Sequence, residues 1–261
     1  MKSEVTNPEL SKVRGAFANG DQSVGQQGSV TVVPRPDLLI AGSSHYEGAA
    51  GSGYFDWQNK NAAGTAEIEV RKFRTFVKTT DKVLDFGCGG GHVLKNLDCG
   101  RRVGVEINPV ARRFAQEAGI ACFSILTEVE DNFFDVVISN HALEHVPFPI
   151  ATLKALREKL VPSGLLLVCV PIDDWRRQRH YTRTDVNHHL HTWTPQLLGN
   201  SLVEAGFGSE DFSIKVYAHA WIPNTAVMYR RLPRAGFDFL CRIFAVLSKQ
   251  RQLLVVAKRR S

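Results

Sequence analysis

Val83-Leu84-Asp85-Phe86-Gly87-Cys88-Gly89-Gly90-Gly91-His92 reads as an apolar strand that ends on a carboxylate, breaks into a glycine-rich loop and restarts as a helix. Glycines at alternate positions 87, 89 and 91 leave room for a ligand to approach the backbone, and they tolerate positive φ. The loop N–H groups and the positive end of the next helix are expected to face that ligand. A nucleotide-like occupant follows, and the remaining chain must say which.

Outward from the loop, strands and helices alternate. Upstream, apolar residues at 66, 70, 73 and 77 predict a helix over Ala66 to Lys78. Downstream, Arg102–Glu106, Ile120–Ser124, Phe134–Ser139 and Leu165–Val170 read as strands. Between them lie helices opened by Asn108-Pro109 and by Pro149, the second broken by Pro162-Ser163-Gly164. Beyond Pro171 a polar insert rich in Arg, His and aromatics runs over about 172–193. Thr194-Pro195 then opens a helix, Phe212–Tyr217 reads as a strand, Leu232 to Gln250 contains an amphipathic helix, and Leu253–Ala257 is a last strand. This order predicts an α/β fold: a doubly wound, mostly parallel sheet with helices on both faces, its ligand at the carboxyl ends of the strands.

The rest of the composition sets bounds. Hydrophobic residues at 44% and charged residues at 22% fit a globular domain. The net charge of +6 is spread over scattered basic pairs such as Arg101-Arg102 and Arg176-Arg177, whereas a nucleic-acid binder gathers them into a stripe. The five cysteines show no Cys-x-x-Cys pair and no zinc spacing, so a reducing, cytoplasmic setting is expected. No apolar run approaches membrane-spanning length. Residues 1–40 are expected to form a disordered or loosely packed tail, with a short strand at 30–33, ahead of a domain over 41–261. The aromatics Tyr46, Tyr54, Phe55 and Trp57, set among Gly and Ala, read as packing at the domain's edge, with a lid over the ligand as the alternative.

The dinucleotide fingerprint requires Gly-x-Gly-x-x-Gly. Counted from Gly87, its third glycine would fall on His92, and the chain carries Asp-x-Gly-x-Gly-x-Gly from Asp85 to Gly91 instead. That pattern resembles motif I of the class I S-adenosylmethionine-dependent methyltransferases. Three more landmarks resemble the family in order: Phe134-Asp135 to Asn140, the Leu143-Glu144-His145-Val146-Pro147 turn, and Lys159 to Gly164. The resemblance implies a seven-stranded, Rossmann-like sheet with an antiparallel last strand, and S-adenosyl-L-methionine as cofactor. By it, Asp85, Gly87 and Gly89 surround the methionine end, Glu106 meets the ribose, Ile125 and Leu126 flank the adenine, Asn140 lies beside the methyl group, and Cys88 and Ile107 are further cofactor-binding candidates. Many relatives carry an acid at the adenine; here the nearest, Glu128, comes a few residues late.

For the acceptor, the (Asp/Asn/Ser)-Pro-Pro-(Tyr/Phe) loop of amino-methylating relatives is replaced by Asn140-His141-Ala142-Leu143. Cys169, the one candidate for a cysteine nucleophile, sits in an apolar strand and reads as packing. What remains resembles the small-molecule branch that includes ubiquinone, menaquinone and polysaccharide-associated methyltransferases. Hydroxyl methylation of a small molecule or glycan intermediate is therefore expected, with an RNA methyltransferase and a non-catalytic partner subunit as rivals. His141 is the leading base candidate and His145 a second, with a backbone-bonded histidine as the alternative for His141. Tyr54, Trp57, Trp175, Arg176, His180, Tyr181, His189 and His191 are candidate acceptor contacts. In the ubiquinone enzymes a Glu-x-x-Glu-His group holds a divalent cation; here its first position is His141, and no metal site is predicted. A homodimer is left open.

Overall fold

The computed structural model describes residues 44–46, 51, 53, 55, 59, 64–174, 176, 178–218 and 222–260. The tail over 1–40, Tyr54, Trp57 and Trp175 lie outside the described residues.

The strands are β1 (Lys82–Phe86), β2 (Arg101–Val105), β3 (Ala121–Phe123), β4 (Phe134–Asn140), β5 (Leu160–Ile172), β6 (Phe212–Ala218) and β7 (Arg251–Lys258). The helices named here are α1 (His92–Lys95), α2 (Pro109–Glu117), α3 (Pro149–Lys159), α4 (Pro195–Glu204), α5 (Thr225–Arg231) and α6 (Arg234–Ser248). The strands form one seven-stranded sheet in the order β3-β2-β1-β4-β5-β7-β6. β1 to β5 are parallel where they pair, and β7 runs antiparallel between β5 and β6. The chain leaves β1 toward β2 and β3, then returns to lay β4 on the opposite edge of β1. That reversal opens a crevice at the carboxyl ends of β1 and β4.

Strand side chains alternate between two cores. Leu84, Val137, Leu166, Val168 and Val255 join α3 and α4 on one face. Val83, Val136, Ile138, Leu167 and Leu254 pack on the other face with Val70, Phe73, Leu94 and Ala115. Apolar residues on both sides of a strand are what a sheet covered on both faces requires. Asn108 caps α2 by accepting from the Val110 and Ala111 N–H groups, and Thr194 caps α4 through Leu197.

Three boundaries differ from the sequence reading. The helix over 66–78 is helical only to residue 70, then turns and closes in a 3-10 turn at Arg74–Phe76. Pro162-Ser163-Gly164 is no break: β5 starts at Leu160, and pairing jumps from Phe134↔Leu160 to Val136↔Leu165. The extra residues form a bulge with Ser163 at φ 66°, held by a Ser163 N–H bond to the Arg259 carbonyl. Helix α5 was not foreseen.

Candidate functional site

The β1 carboxyl end and its glycine loop form the floor of the crevice. Gly87, Gly89 and Gly91 have φ of 74°, 54° and 76°, a region costly to any residue with a side chain. A Cβ at Gly87 would lie 2.4 Å from the Ala142 methyl. The loop's donors, however, do not face outward as the sequence suggested. The Gly87 and Cys88 N–H groups donate to the Val105 carbonyl, the Gly91 N–H to Cys88, and the Gly89 N–H to Glu106 Oε2 at 2.8 Å. A pyrophosphate cradle needs free N–H groups and a helix dipole; here the donors are engaged and α1 is a single turn.

What the floor offers instead is negative charge. Asp85 is 2% exposed and its Oδ1 has no hydrogen-bond partner. Burial and the nearby Glu106 push its carboxyl well above the usual range. Burial also raises Glu106, although its Oε1 and Oε2 accept from the Asn108 and Gly89 N–H groups. Two strained carboxylates in one crevice favour a cationic ligand.

Glu106, Ile107, Ser124, Ile125 and Leu126 line a compartment together with the buried Tyr46 and Phe55. Glu128 is absent from that lining, because its carboxylate turns back to the Ser124 N–H and hydroxyl at 3.0 and 3.1 Å. Cys88 contributes backbone; its Sγ packs 3.5 Å from Cys122 Sγ. A second, larger compartment joins the first at Gly87, Gly89, His141 and His145. Asp85, Asn140, Glu144, Asp173, Asn187 and His189 line it.

Beneath this second compartment lies a polar cluster that sequence reading missed. Lys72, 5% exposed, donates to Glu69 Oε2 at 2.6 Å, to Asn140 Oδ1 at 2.8 Å and to Cys169 Sγ at 3.3 Å. Asn140 Nδ2 in turn donates to Glu69. Burial alone would raise the Glu69 carboxyl, but Lys72 and then His141 hold it down to about 2. Cys169 is therefore part of a hydrogen-bonded group, with Gln252 Oε1 3.1 Å away, and is more than apolar filling.

His141 sits at φ 55° at the end of β4, between the two compartments. Its Nε2 lies 2.9 Å from Gln252 Oε1, an oxygen that also faces the Lys72 ammonium, so the ring nitrogen is the donor. Its Nδ1 faces the buried Glu144 carboxylate at 3.5 Å. Burial opposes the charged ring, but bonds to Cys169 and Glu144 outweigh it and raise His141 to about 10. That direction favours the charged ring, which weighs against His141 as a proton acceptor. His145 shares Nδ1 with the Tyr46 hydroxyl at 2.6 Å, and burial pushes it down to about 4.

The insert contributes one titratable pair. His189 Nδ1 lies 2.7 Å from Asp173 Oδ2, and that pairing raises His189 against the effect of burial. Leu190 and His191 N–H groups donate to the Glu144 carbonyl, which ties the insert to the turn after β4. His191 is a strut: its Nε2 bonds the Val146 carbonyl, outside both compartments. Arg176 pairs with Asp174 in solvent, His180 is exposed and Tyr181 is 90% exposed. None of the three lines the crevice in this conformation. Glu144, His145 and His189 each bring one ligand atom to within 4.8 Å of the others, a carboxylate–imidazole set that could take a borderline divalent ion.

A family model described as a methyltransferase domain matches residues 59–210, more than half of the chain. The chain belongs to the class I S-adenosylmethionine-dependent methyltransferases. Within that family it is similar to the ubiquinone biosynthesis O-methyltransferase of Cereibacter sphaeroides, with 35% identity over 100 residues, or 33% of this chain and 39% of the relative. The enzyme of the same description from Vibrio campbellii is 36% identical over 95 residues, 32% of this chain and 40% of the relative. The chain thus aligns with about two fifths of each of these relatives. In fold it is similar to a SAM-dependent methyltransferase from Archaeoglobus fulgidus, with TM-score 0.55, 20% identity and coverage of 79% of this chain and 99% of that one. It is also similar to the plantazolicin methyltransferase BpumL in complex with SAH, with TM-score 0.57, 14% identity and coverage of 86% and 95%. The methyltransferase's glycine loop fits the family cofactor on its own terms: the N–H groups of Gly87, Cys88, Gly89 and Gly91 are engaged within the protein, and a buried carboxylate oxygen of Asp85 is left unpartnered for a cationic ligand.

Proposed function

We propose that this methyltransferase moves the methyl group of S-adenosylmethionine to a hydroxyl of a small molecule or glycan intermediate, in the cytoplasm. The observation that carries the reading is the junction at Gly87, Gly89 and His141, where a mostly apolar compartment bearing Glu106 opens into a roomier polar one. When bound, the cofactor supplies an activated methyl at its sulfonium. The chain's own part is to hold and align the reactants and to remove the acceptor's proton.

In this reading Asp85 and the Gly87–Gly89 backbone hold the methionine end. Glu106 accepts from the ribose hydroxyls, and Ile107, Ile125 and Leu126 sandwich the adenine. Asn140, fixed by Lys72 and Glu69, borders the methyl. His189 takes the hydroxyl proton: Asp173 holds its Nδ1–H, which leaves Nε2 as the acceptor in the compartment the ring lines. His141, held protonated by Glu144 and Gln252, supplies positive charge beside an acceptor oxygen that is losing its proton. The named activity of the Cereibacter and Vibrio relatives supports oxygen as the acceptor atom.

The test is calorimetry with S-adenosylmethionine, followed by release of the demethylated product with catechols and sugars as trial acceptors. Micromolar binding that Asp85→Ala and Glu106→Ala each weaken is expected; equal affinity in both variants would overturn the cofactor assignment. His189→Gln is expected to lower kcat by about 10²- to 10⁴-fold, the usual weight of a general base. A second reading is favoured by the Glu144, His145 and His189 cluster: a divalent ion there would polarise the hydroxyl in place of a base. Turnover abolished by a chelator and restored by zinc would select it.

A further inference from the structure

Helix α6 buries one face and leaves a second apolar face in water. Phe237, Cys241 and Ala245 pack inward. Phe239, Ile243, Val246 and Leu247, at helical spacing on another side, are exposed, with Phe239 62% and Leu247 77% in solvent. Leu240 is exposed beside them. A surface helix ordinarily has one apolar stripe, so the second has a separate cause.

The charge around it is one-sided. Residues 225–251 contain six Arg or Lys (Arg230, Arg231, Arg234, Arg242, Lys249, Arg251) and a single acid, Asp238. Asp238 is itself bonded to Arg71 at 2.9 Å. The segment's charge of five therefore accounts for nearly all of the chain's net +6. Aliphatic and Phe side chains bordered by cations are the chemistry of a helix that lies in the plane of an anionic bilayer. A second copy of the chain fits less well, because a twofold contact would set these cations against themselves. Among the described residues no helix is long and apolar enough to cross a membrane, so the contact is peripheral.

We infer that the outer face of α6, with the basic residues at its ends and flanks, docks this enzyme on an anionic lipid surface. α6 leads through Lys249 to Gln250 and Arg251, which line the larger compartment. Docking would therefore bring that compartment near the headgroups, where a lipid-carried or interfacial acceptor is found. The docking itself does not depend on the methyl-transfer reading and is tested apart from it.

The full chain is sedimented with vesicles of phosphatidylglycerol mixed with phosphatidylcholine, and with phosphatidylcholine alone. Binding to the first and not the second is expected, weakening as salt rises. The pair Phe239→Ser and Leu247→Ser should lower partitioning about tenfold or more, given the apolar area withdrawn. Arg234→Glu with Arg242→Glu should abolish it at moderate salt. Circular dichroism and calorimetric S-adenosylmethionine affinity, unchanged in both pairs, show that the variants fold. Three results would overturn the inference: no binding to anionic vesicles at low salt, equal binding by the folded serine variant, or a solution dimer that this variant dissociates.

Discussion

In the proposed reading, Asp85 and Glu106 serve the cofactor at a cost to the fold. Burial, and for Asp85 the neighbouring charge, raise both carboxyls above their ordinary values. The folded chain then binds protons more tightly than the unfolded one. Stability is fullest below the unfolded value of about 4 and declines as pH climbs through the raised folded values. Asp85→Asn should remove part of that decline and stabilise the ligand-free protein at neutral pH by about 1–3 kcal/mol, the cost of a buried polar group left unsatisfied. The same change should weaken S-adenosylmethionine. Thermal melts across pH, paired with calorimetry, check both halves; a variant that loses stability and keeps affinity would count against the proposed role. Lys72 behaves oppositely. Lys72→Met leaves Glu69 buried without its cation and should destabilise by about 3–5 kcal/mol, read as a shift in the denaturation midpoint.

At the scale of elements, the proposed base depends on two segments far apart in the chain. Asp173 ends β5's continuation and His189 closes the insert, 16 residues later. Asp173→Asn should move the alkaline rise of kcat/KM to lower pH, since it removes the charge that raises His189, while His191→Ala should chiefly loosen the insert. The strand–loop–helix unit at 83–92, the four landmarks and the caps at Asn108 and Thr194 were readable because each is local: spacing, a glycine or a side-chain oxygen decides it. The destinations of the loop's N–H groups were not, because they depend on how β1 registers against β2. Glu69 and Lys72 carry no signal in the local pattern; Lys72 is met by Cys169 of β5 and Gln252 of β7, 97 and 180 residues away. Pro162-Ser163-Gly164 has the composition of a turn, and only the shifted pairing with β4 makes it a bulge. His141 lies between the two compartments, yet its charged form is favoured by Cys169 and Glu144, which no spacing rule connects.

For the whole molecule, the last strand holds the sheet together. β7 pairs with β5 from Leu165↔Lys258 to Ile172↔Arg251 and with β6 from Phe212↔Ala257 to Ala218↔Arg251. It also supplies Gln252 to the site. A chain truncated after Lys249 should lose cooperative unfolding altogether, because β6 has no neighbour without it; a two-state denaturation curve from that truncation would contradict this dependence. All five thiols are buried and unlinked: Cys88 in the glycine loop against Cys122, Cys99 before β2, Cys169 in mid-sheet and Cys241 on the inward face of α6. The protein thus contains its own set of timed reporters. An alkylating reagent should mark each position only as fast as that region opens, so mass spectrometry of the modified peptides would rank local breathing across the molecule. A bound nucleoside should slow the clock at Cys88 and leave the one at Cys241 running.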